Sequence, residues 1–474
     1  MPRYPTTLAI DQGTSSTRAL RLDPDGTARV VVARRHQQHH PRPGWVEHDP
    51  EELLANVRAC LDHSPQIDAI GIDNQGESCL AWRADTGEPL SPVIVWQDNR
   101  TQSVTDQLRA DGVEAMVLER AGLPLDPYFS AAKLGWLMRT VPGAAALLRS
   151  GHLRLGTTDA FFLSRLSGLC VTDITTASRT SLMNLETGQW DAELCRLFGV
   201  PMDALPEIVP TTGDFGQVDL GHGRIPITAS VVDQQAALYG HGCRRPGAVK
   251  MTFGTGAFAL LLTGDQCVRA PEQGLLPTIA WQRAGAAPVY ALDGGVYCAS
   301  SALDWARSLG LFDSFAELED ATGASAIERG LCFVPALAGL ACPHWDRKAR
   351  GVWLGLALEH SRLDLVRAIL EGVALRAAEV LAAMNERIPL AGPLSIDGGM
   401  TANRYFCQFL ADAVNRPVQV PQMAESTALG TALLATGAPE HQTDDRHAIT
   451  YQPQRDLATA RARFACAVAL ARDW

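Results

Sequence analysis

The sequence has no lysine-rich block, no cysteine pair spaced as CxxC, no low-complexity segment and no long apolar run. Each absence narrows the field. Without a basic block, and with a net charge of −11 over 474 residues, nucleic acid and acidic membrane surfaces are poor partners. The 11 cysteines stand singly from Cys60 to Cys466. That fits buried, reduced thiols in a cytoplasmic protein better than a disulfide framework or a zinc site. The longest apolar runs, such as AFALLL at 257–262, are too short to span a bilayer, and the opening MPRYPTTLAID has no apolar signal core. Neither a Walker loop nor a GxGxxG fingerprint occurs. What is present is a globular composition, 46% hydrophobic and 20% charged, in a chain long enough for two or three domains.

Glycine supplies the positive pattern. In LAIDQGTSSTRALRL, residues 8–22, Leu8 and Ile10 lead into a turn, and Ala19, Leu20 and Leu22 lead out. The flanks predict two strands. Asp11, Gly13, Thr14, Ser15, Ser16 and Thr17 lie between them. A polar surface turn explains this, and so does a phosphate cradle with a metal-holding carboxylate beside it. KMTFGTGAFALLLTG, residues 250–264, repeats the plan, with Gly254-Thr255-Gly256 at its turn. Two such hairpins facing each other across a cleft can hold the phosphates of one nucleotide from both sides. A third signal, LSIDGGMTANRYFCQFLADAV at 394–414, runs from a strand through Asp397-Gly398-Gly399 into a helix.

Together these elements predict an ATP site between two related α/β lobes, residues 1–243 and 244–474. The boundary falls near GHGCRRPGAVK, 240–250, where glycine and proline cluster. Strand-like IDAIGIDNQG and SPVIVWQD alternate with helical PEELLANVRACLDH, and 363–386 reads as a long helix. The polar tail after Gly437 reads as peripheral.

With these residues in view, the chain resembles the FGGY carbohydrate kinases, and among them the glycerol kinases. YFSAAKLGWLM at 128–138 and GVWLGLALEHSRLDLVRAILEGV at 351–373 are similar to the two family signatures. PGWVEHDPEE, IVWQ, TDITTASRT, DQQAALYG, FGTGAF and DGGMTAN add to the likeness, which extends from about Leu8 to Ala435. The resemblance implies a two-lobed actin/Hsp70-like (ribonuclease-H-like) ATPase fold with ATP and sugar or polyol in a central cleft. It implies that Asp11 helps hold ATP-bound Mg2+, and that Gly13, Thr14, Ser15 and Arg18 lie near the phosphates. Thr255 and Gly256 would face the phosphates from the other lobe, while Gly398, Gly399 and Asn403 would border the adenosine. Asp233 would be the catalytic base, and Gly76, Glu77, Trp96, Tyr128, Gln234 and Phe258 would join it around the acceptor. A homodimer or higher homo-oligomer is the expected assembly.

The chemistry asks for these residue types. Phosphoryl transfer needs positioning and charge neutralisation, and an alcohol acceptor must lose a proton to a nearby carboxylate. A polyol pairs its hydroxyls with charged or amide groups and lays its carbons on aromatic faces. Each residue also has a plainer reading. Asp233 could only cap a helix, Trp96, Tyr128 and Phe258 could be core aromatics, and Glu77 could be an exposed loop residue. The histidines of RRHQQHH, 34–40, lack an accompanying acidic cluster and carry no metal reading. Cys342 and His344 read as structural.

Two departures from the glycerol kinases bear on specificity and control. Those proteins typically read Asn-Gln-Arg-Glu-Thr where this chain reads NQGES, 74–78. Gly76 removes an arginine that grips hydroxyls and leaves room for extra carbons, so a longer polyol or a ketose is expected to serve at least as well as glycerol. VWQDNR at 95–100, with Asp98 and Asn99, points the same way by its likeness to xylulose kinases. Against this, an arginine reaching in from elsewhere would keep glycerol as the acceptor. The second departure is DLGHGRIP, 219–226, which keeps Arg224 but lacks the lysine of the loop that binds fructose bisphosphate in bacterial glycerol kinases. Insensitivity to that effector is expected. A rival of another class, a non-catalytic Hsp70- or actin-like ATPase switch, would need a peptide-binding domain or polymer contacts for which no segment is evident.

Overall fold

The computed structural model describes residues 4–63, 66–221, 223–318, 324–423, 425–438 and 448–472. Its first sheet grows from the opening hairpin. Thr7–Gln12 (β1) and Ser16–Leu22 (β2) pair antiparallel, with Asp11 opposite Arg18, and Ala28–Arg35 (β3) continues the meander. Ala69–Asn74 (β4) runs parallel to β1 on its other side. Gln217–Asp219 (β5) and Arg224–Val232 (β6) complete the order β5-β6-β4-β1-β2-β3. Every residue of β1 and β4 is buried, as expected of strands covered on both faces.

The second sheet repeats this plan. Val249–Phe253 (β7) and Ala257–Gly264 (β8) form its hairpin, followed by Leu276–Trp281 (β9) and Val289–Val296 (β10). Leu394–Asp397 (β11) lies parallel to β7 just as β4 lies parallel to β1. Val418–Val420 (β12) and Ile449–Tyr451 (β13) finish the order β9-β10-β8-β7-β11-β12-β13. The repeat read from two glycine turns is thus a repeat of whole sheets.

The helices start where local chemistry directs. Pro50–Asp62 (α1) packs on the first sheet, and its cap Asp49 accepts from the N–H groups of Glu51 and Glu52. Ser130–Thr140 (α2) and Ile174–Ser178 (α3) lie in the segment between β4 and β5, and Asp233–Gly240 (α4) follows β6 directly. Ser300–Ser308 (α5) follows β10. Arg362–Arg387 (α6) is the expected long helix, opened by a Ser361/Asp364 capping box, and is followed by Arg404–Val414 (α7).

Ser426–Ala435 (α8) returns to the first sheet, packing on α4, β1 and β4. The second half of the chain therefore contributes one helix to the first lobe. The approach is close: a Cβ on Gly240 would come within 1.8 Å of the Ser426 carbonyl oxygen. The tail after Gly437 is not peripheral as expected. Ala458–Arg472 (α9) buries Phe464, Ala467, Val468 and Ala471 in the core of the second lobe, a helical spacing that its small residues obscure. Residues 439–447 of that tail lie outside the described ones. Among the described residues, no helix is long and apolar enough to cross a membrane.

Candidate active site

Both glycine turns are held by their carbonyls. The Gly13 carbonyl accepts from Gln12 Nε2 (2.8 Å), and the Thr14 carbonyl from His36 Nε2 (2.8 Å). In the second turn the Gly254 carbonyl accepts from the Ser300 N–H (3.0 Å), and the Thr255 carbonyl from the Ala299 N–H (2.9 Å). A trans peptide points its N–H away from its C=O. The N–H groups of Thr14, Ser15, Thr255 and Gly256 are therefore turned away from these anchors. Such turns make anion-binding concavities. The histidine run thus delivers His36 to the first turn.

Asp11, the penultimate residue of β1, lies beside Asp73 of β4, its register partner. Arg18 places Nη1 3.6 Å from Asp11 Oδ2 and 2.8 Å from Glu425 Oε2. Burial pushes the Asp11 carboxyl above its usual range, while a hydrogen bond from Asp73 and the charge of Arg18 pull it back. Asp73, fully buried, is pushed well above the usual carboxyl range by burial and by the charge of Asp11. Its Oδ2 accepts from Thr431 Oγ1 of α8 at 2.6 Å. Of the two carboxyls, Asp73 holds its proton the more tightly.

At the third signal, Gly398 has φ +93°, and a Cβ there would meet the Phe253 carbonyl oxygen at 2.3 Å. Only glycine fits. Gly399 borders open space. Asn403 caps α7 by accepting from the Phe406 N–H (2.8 Å), and its Nδ2 donates to the Leu318 carbonyl (3.1 Å).

One cavity between the lobes gathers all seven residues expected around the acceptor: Gly76, Glu77, Trp96, Tyr128, Asp233, Gln234 and Phe258. Thr14 reaches the same cavity, and its Oγ1 accepts from Trp96 Nε1 (3.0 Å), so the first turn and the cavity wall are tied together. Trp96 and Tyr128 meet edge to face, with centroids 5.6 Å apart. Glu77 adopts φ +57°, a strained conformation for a residue with a side chain. Its carboxylate is buried, not exposed on a loop. Asp233 is the first residue of α4, whose cap position is Val232, and it makes no side-chain capping bond of the usual kind. Its Oδ1 accepts from the adjacent Gln234 N–H (2.7 Å). Burial, and then the charge of Glu77, push the Asp233 carboxyl up to about 7.

Two charged lining residues escaped the sequence reading. Arg179, just after α3, donates from Nε to Glu77 Oε1 (2.6 Å) and from Nη1 to Asp293 Oδ2 of β10 (3.1 Å). Burial opposes its charge, but Glu77 and Asp293 hold the guanidinium protonated. The only signals were an arginine after the hydroxyl-rich TDITTAS and an acid inside the apolar strand VYALDGGV.

Arg179 corrects the expectation drawn from Gly76. A guanidinium does reach into the cavity from elsewhere. Nor does Gly76 leave a void, since a Cβ there would lie 2.8 Å from Val232 Cγ2. The likeness of VWQDNR to ketose kinases also falls away from the cavity. Asp98 is buried against Arg100 Nη2 (2.7 Å) and the Val46 N–H (2.6 Å), and Asn99 is exposed.

Two repeated sheets, each opening on a glycine-turn hairpin, and a cavity lined by carboxylates, a guanidinium, amides and aromatic rings define a two-lobed actin/Hsp70-like (ribonuclease-H-like) phosphotransferase. The N-terminal domain of the FGGY family of carbohydrate kinases matches residues 6–240, and its C-terminal domain matches residues 249–438. A glycerol kinase of Thermus brockianus is 44% identical over 438 residues, covering 90% of this chain and 88% of that protein. One of Rhodopseudomonas palustris is 42% identical over 445 residues, covering 90% and 89%. The crystal structure of Plasmodium falciparum glycerol kinase with ADP superposes with a TM-score of 0.90 at 31% identity, covering 99% of this chain and 98% of that one. A xylulose kinase structure from Brucella ovis reaches 0.85 at 25% identity, covering 98% of each. The chain belongs to the FGGY family of carbohydrate kinases. It is an enzyme that transfers a phosphoryl group from ATP to an alcohol, and the switch reading is set aside.

Proposed function

We propose that the acceptor is glycerol and that Asp233 is the general base. The observation that carries this reading is the cavity itself, where three carboxylates, a guanidinium, two amides and three aromatic rings share the lining. Glu77, Arg179 and Gln234 pair the hydroxyls, and Trp96, Tyr128 and Phe258 cover the carbons. Asp233 takes the proton of the attacking hydroxyl. The N–H groups of Thr14, Ser15, Thr255 and Gly256 cradle the phosphates, Arg18 adds charge, and the junction of Gly398, Gly399 and Asn403 borders the adenosine. Asp11, with Asp73 beside it, fits a hard cation that binds one or two carboxylates together with substrate phosphates. Magnesium held by Asp11 would neutralise phosphate charge.

The test is kcat/KM for glycerol against erythritol, pentitols and ketopentoses, followed by ADP release. With the space at Gly76 filled by Val232 and a guanidinium supplied by Arg179, glycerol is expected to lead by about tenfold, roughly the value of one hydrogen bond to a charged group. A four- or five-carbon acceptor that equals it would overturn the assignment. In the effector loop, Arg224 is exposed and His222 lies outside the described residues. A phosphate grip depends on several donors at once. Fructose bisphosphate at millimolar concentration and physiological salt is therefore expected to leave the rate unchanged, and strong inhibition would refute this.

A further inference from the structure

Lys250 of β7 is completely buried and does not line the cavity. Its Nζ donates to Gln234 Oε1 (2.7 Å) and to Thr252 Oγ1 (3.0 Å). An ammonium has donors only, so the amide that faces it must present its oxygen. The Gln234 NH2 is then directed away from Lys250, and Gln234 is also one of the residues lining the cavity. Burial pulls the Lys250 ammonium below its usual range, while the carboxylates of Asp397, Asp233 and Asp293 favour its charged form. Asp397 is itself held by His241 Nε2 (2.9 Å), whose Nδ1 meets Ser395 Oγ (2.7 Å). Lys250 thus connects the second sheet to the start of α4 through the Gln234 side chain.

We propose that Lys250 is a positioning residue for the phosphoryl acceptor, locking the Gln234 amide with its NH2 toward the cavity. Successive residues of α4 then present opposite chemistry. Gln234 donates to the oxygen of one acceptor hydroxyl, while Asp233 accepts the proton of another. The inference rests on the reading of this cavity as the acceptor site.

A double-mutant cycle tests it, with Lys250→Met, Gln234→Ala and the double variant assayed for the KM of glycerol and of ATP. Each single variant is expected to raise the glycerol KM roughly tenfold, the scale of one hydrogen bond, with the ATP KM unchanged. The double variant should match Gln234→Ala, because Lys250 acts through Gln234. Multiplied effects in the double variant, or a Lys250→Met effect on ATP alone, would overturn the proposal. Gln234→Glu provides a readout that does not require removing a buried lysine. It keeps a partner for Lys250 but presents oxygen to the cavity, so its glycerol KM should rise as in the alanine variant. A wild-type KM in Gln234→Glu would show that oxygen faces the acceptor and would also overturn the proposal. Should the wild-type enzyme fail to turn over glycerol, the acceptor assignment falls. The cycle is then run on whichever polyol stimulates ADP release, so the coupling of positions 250 and 234 is judged separately.

Discussion

Asp233→Asn is expected to lower kcat by about 10²–10⁴-fold, the usual scale for a positioned base, while ATP still binds. The carboxylate stands in the cavity wall with one oxygen fixed by the Gln234 N–H and the charge of Glu77 nearby. A base must be ionised to accept a proton. With its carboxyl pushed up to about 7, kcat/KM for the acceptor should fall about tenfold per pH unit below that point and level off above it. The residual activity of the asparagine variant should lack this acid limb. Stability should move the other way. A carboxyl whose folded pKa is raised binds its proton more tightly in the native state, so its contribution is present at low pH and lost as pH rises through about 7. Asparagine imitates the protonated form, and the variant should melt at or above the wild-type temperature at pH 8. Steady-state kinetics, calorimetric titration with ATP and thermal melting check the three statements. Near-wild-type turnover would remove Asp233 from the chemistry.

The parts of this site that were legible in the sequence are those built by short-range geometry. A glycine turn between two apolar runs encodes a hairpin wherever it falls, and LAIDQGT and MTFGTGA therefore announced the two hairpin turns. The acid of GIDNQG could have been read in the same way. Asp73 interrupts an apolar run as Asp11 does, and β1 and β4 then align the two acids side by side. Longer-range features had no such signature. His36 reaches the Thr14 carbonyl across 22 positions, and Thr431 reaches Asp73 across 358. α9 looked peripheral because its small residues hid five buried positions at helical spacing. Reading Gly76 as vacant space failed for a related reason. The sequence shows which side chain is missing, but not that Val232 fills its place or that Arg179 arrives from the end of α3.

Arg179→Met is accordingly expected to damage both stability and acceptor binding. The guanidinium bridges Glu77 of the first lobe and Asp293 of the second, with only 8% of its side chain exposed. Removing one member of a buried ionic group leaves its partners uncompensated and typically costs about 3–5 kcal/mol. The sign of the pH dependence follows from the carboxylates. Burial already holds Glu77 above its usual range although Arg179 pulls it down. Without Arg179, Glu77 loses the charge that pulls it down and keeps the charge of Asp293 that pushes it up, so it binds its proton more tightly in the folded state and the variant should lose stability as pH rises from 5 to 8. Its acceptor KM should rise by about ten- to a hundredfold, the equivalent of a lost hydrogen bond to a charged group. Arg179→Lys separates the two effects. A lysine keeps one positive charge and should recover part of the stability, but a single ammonium lacks the planar fork that spans Glu77 and Asp293. Its acceptor KM should therefore stay raised. If both variants melt and bind as the wild type does, Arg179 neither joins the lobes nor grips the acceptor, and the space at Gly76 must be served by another donor.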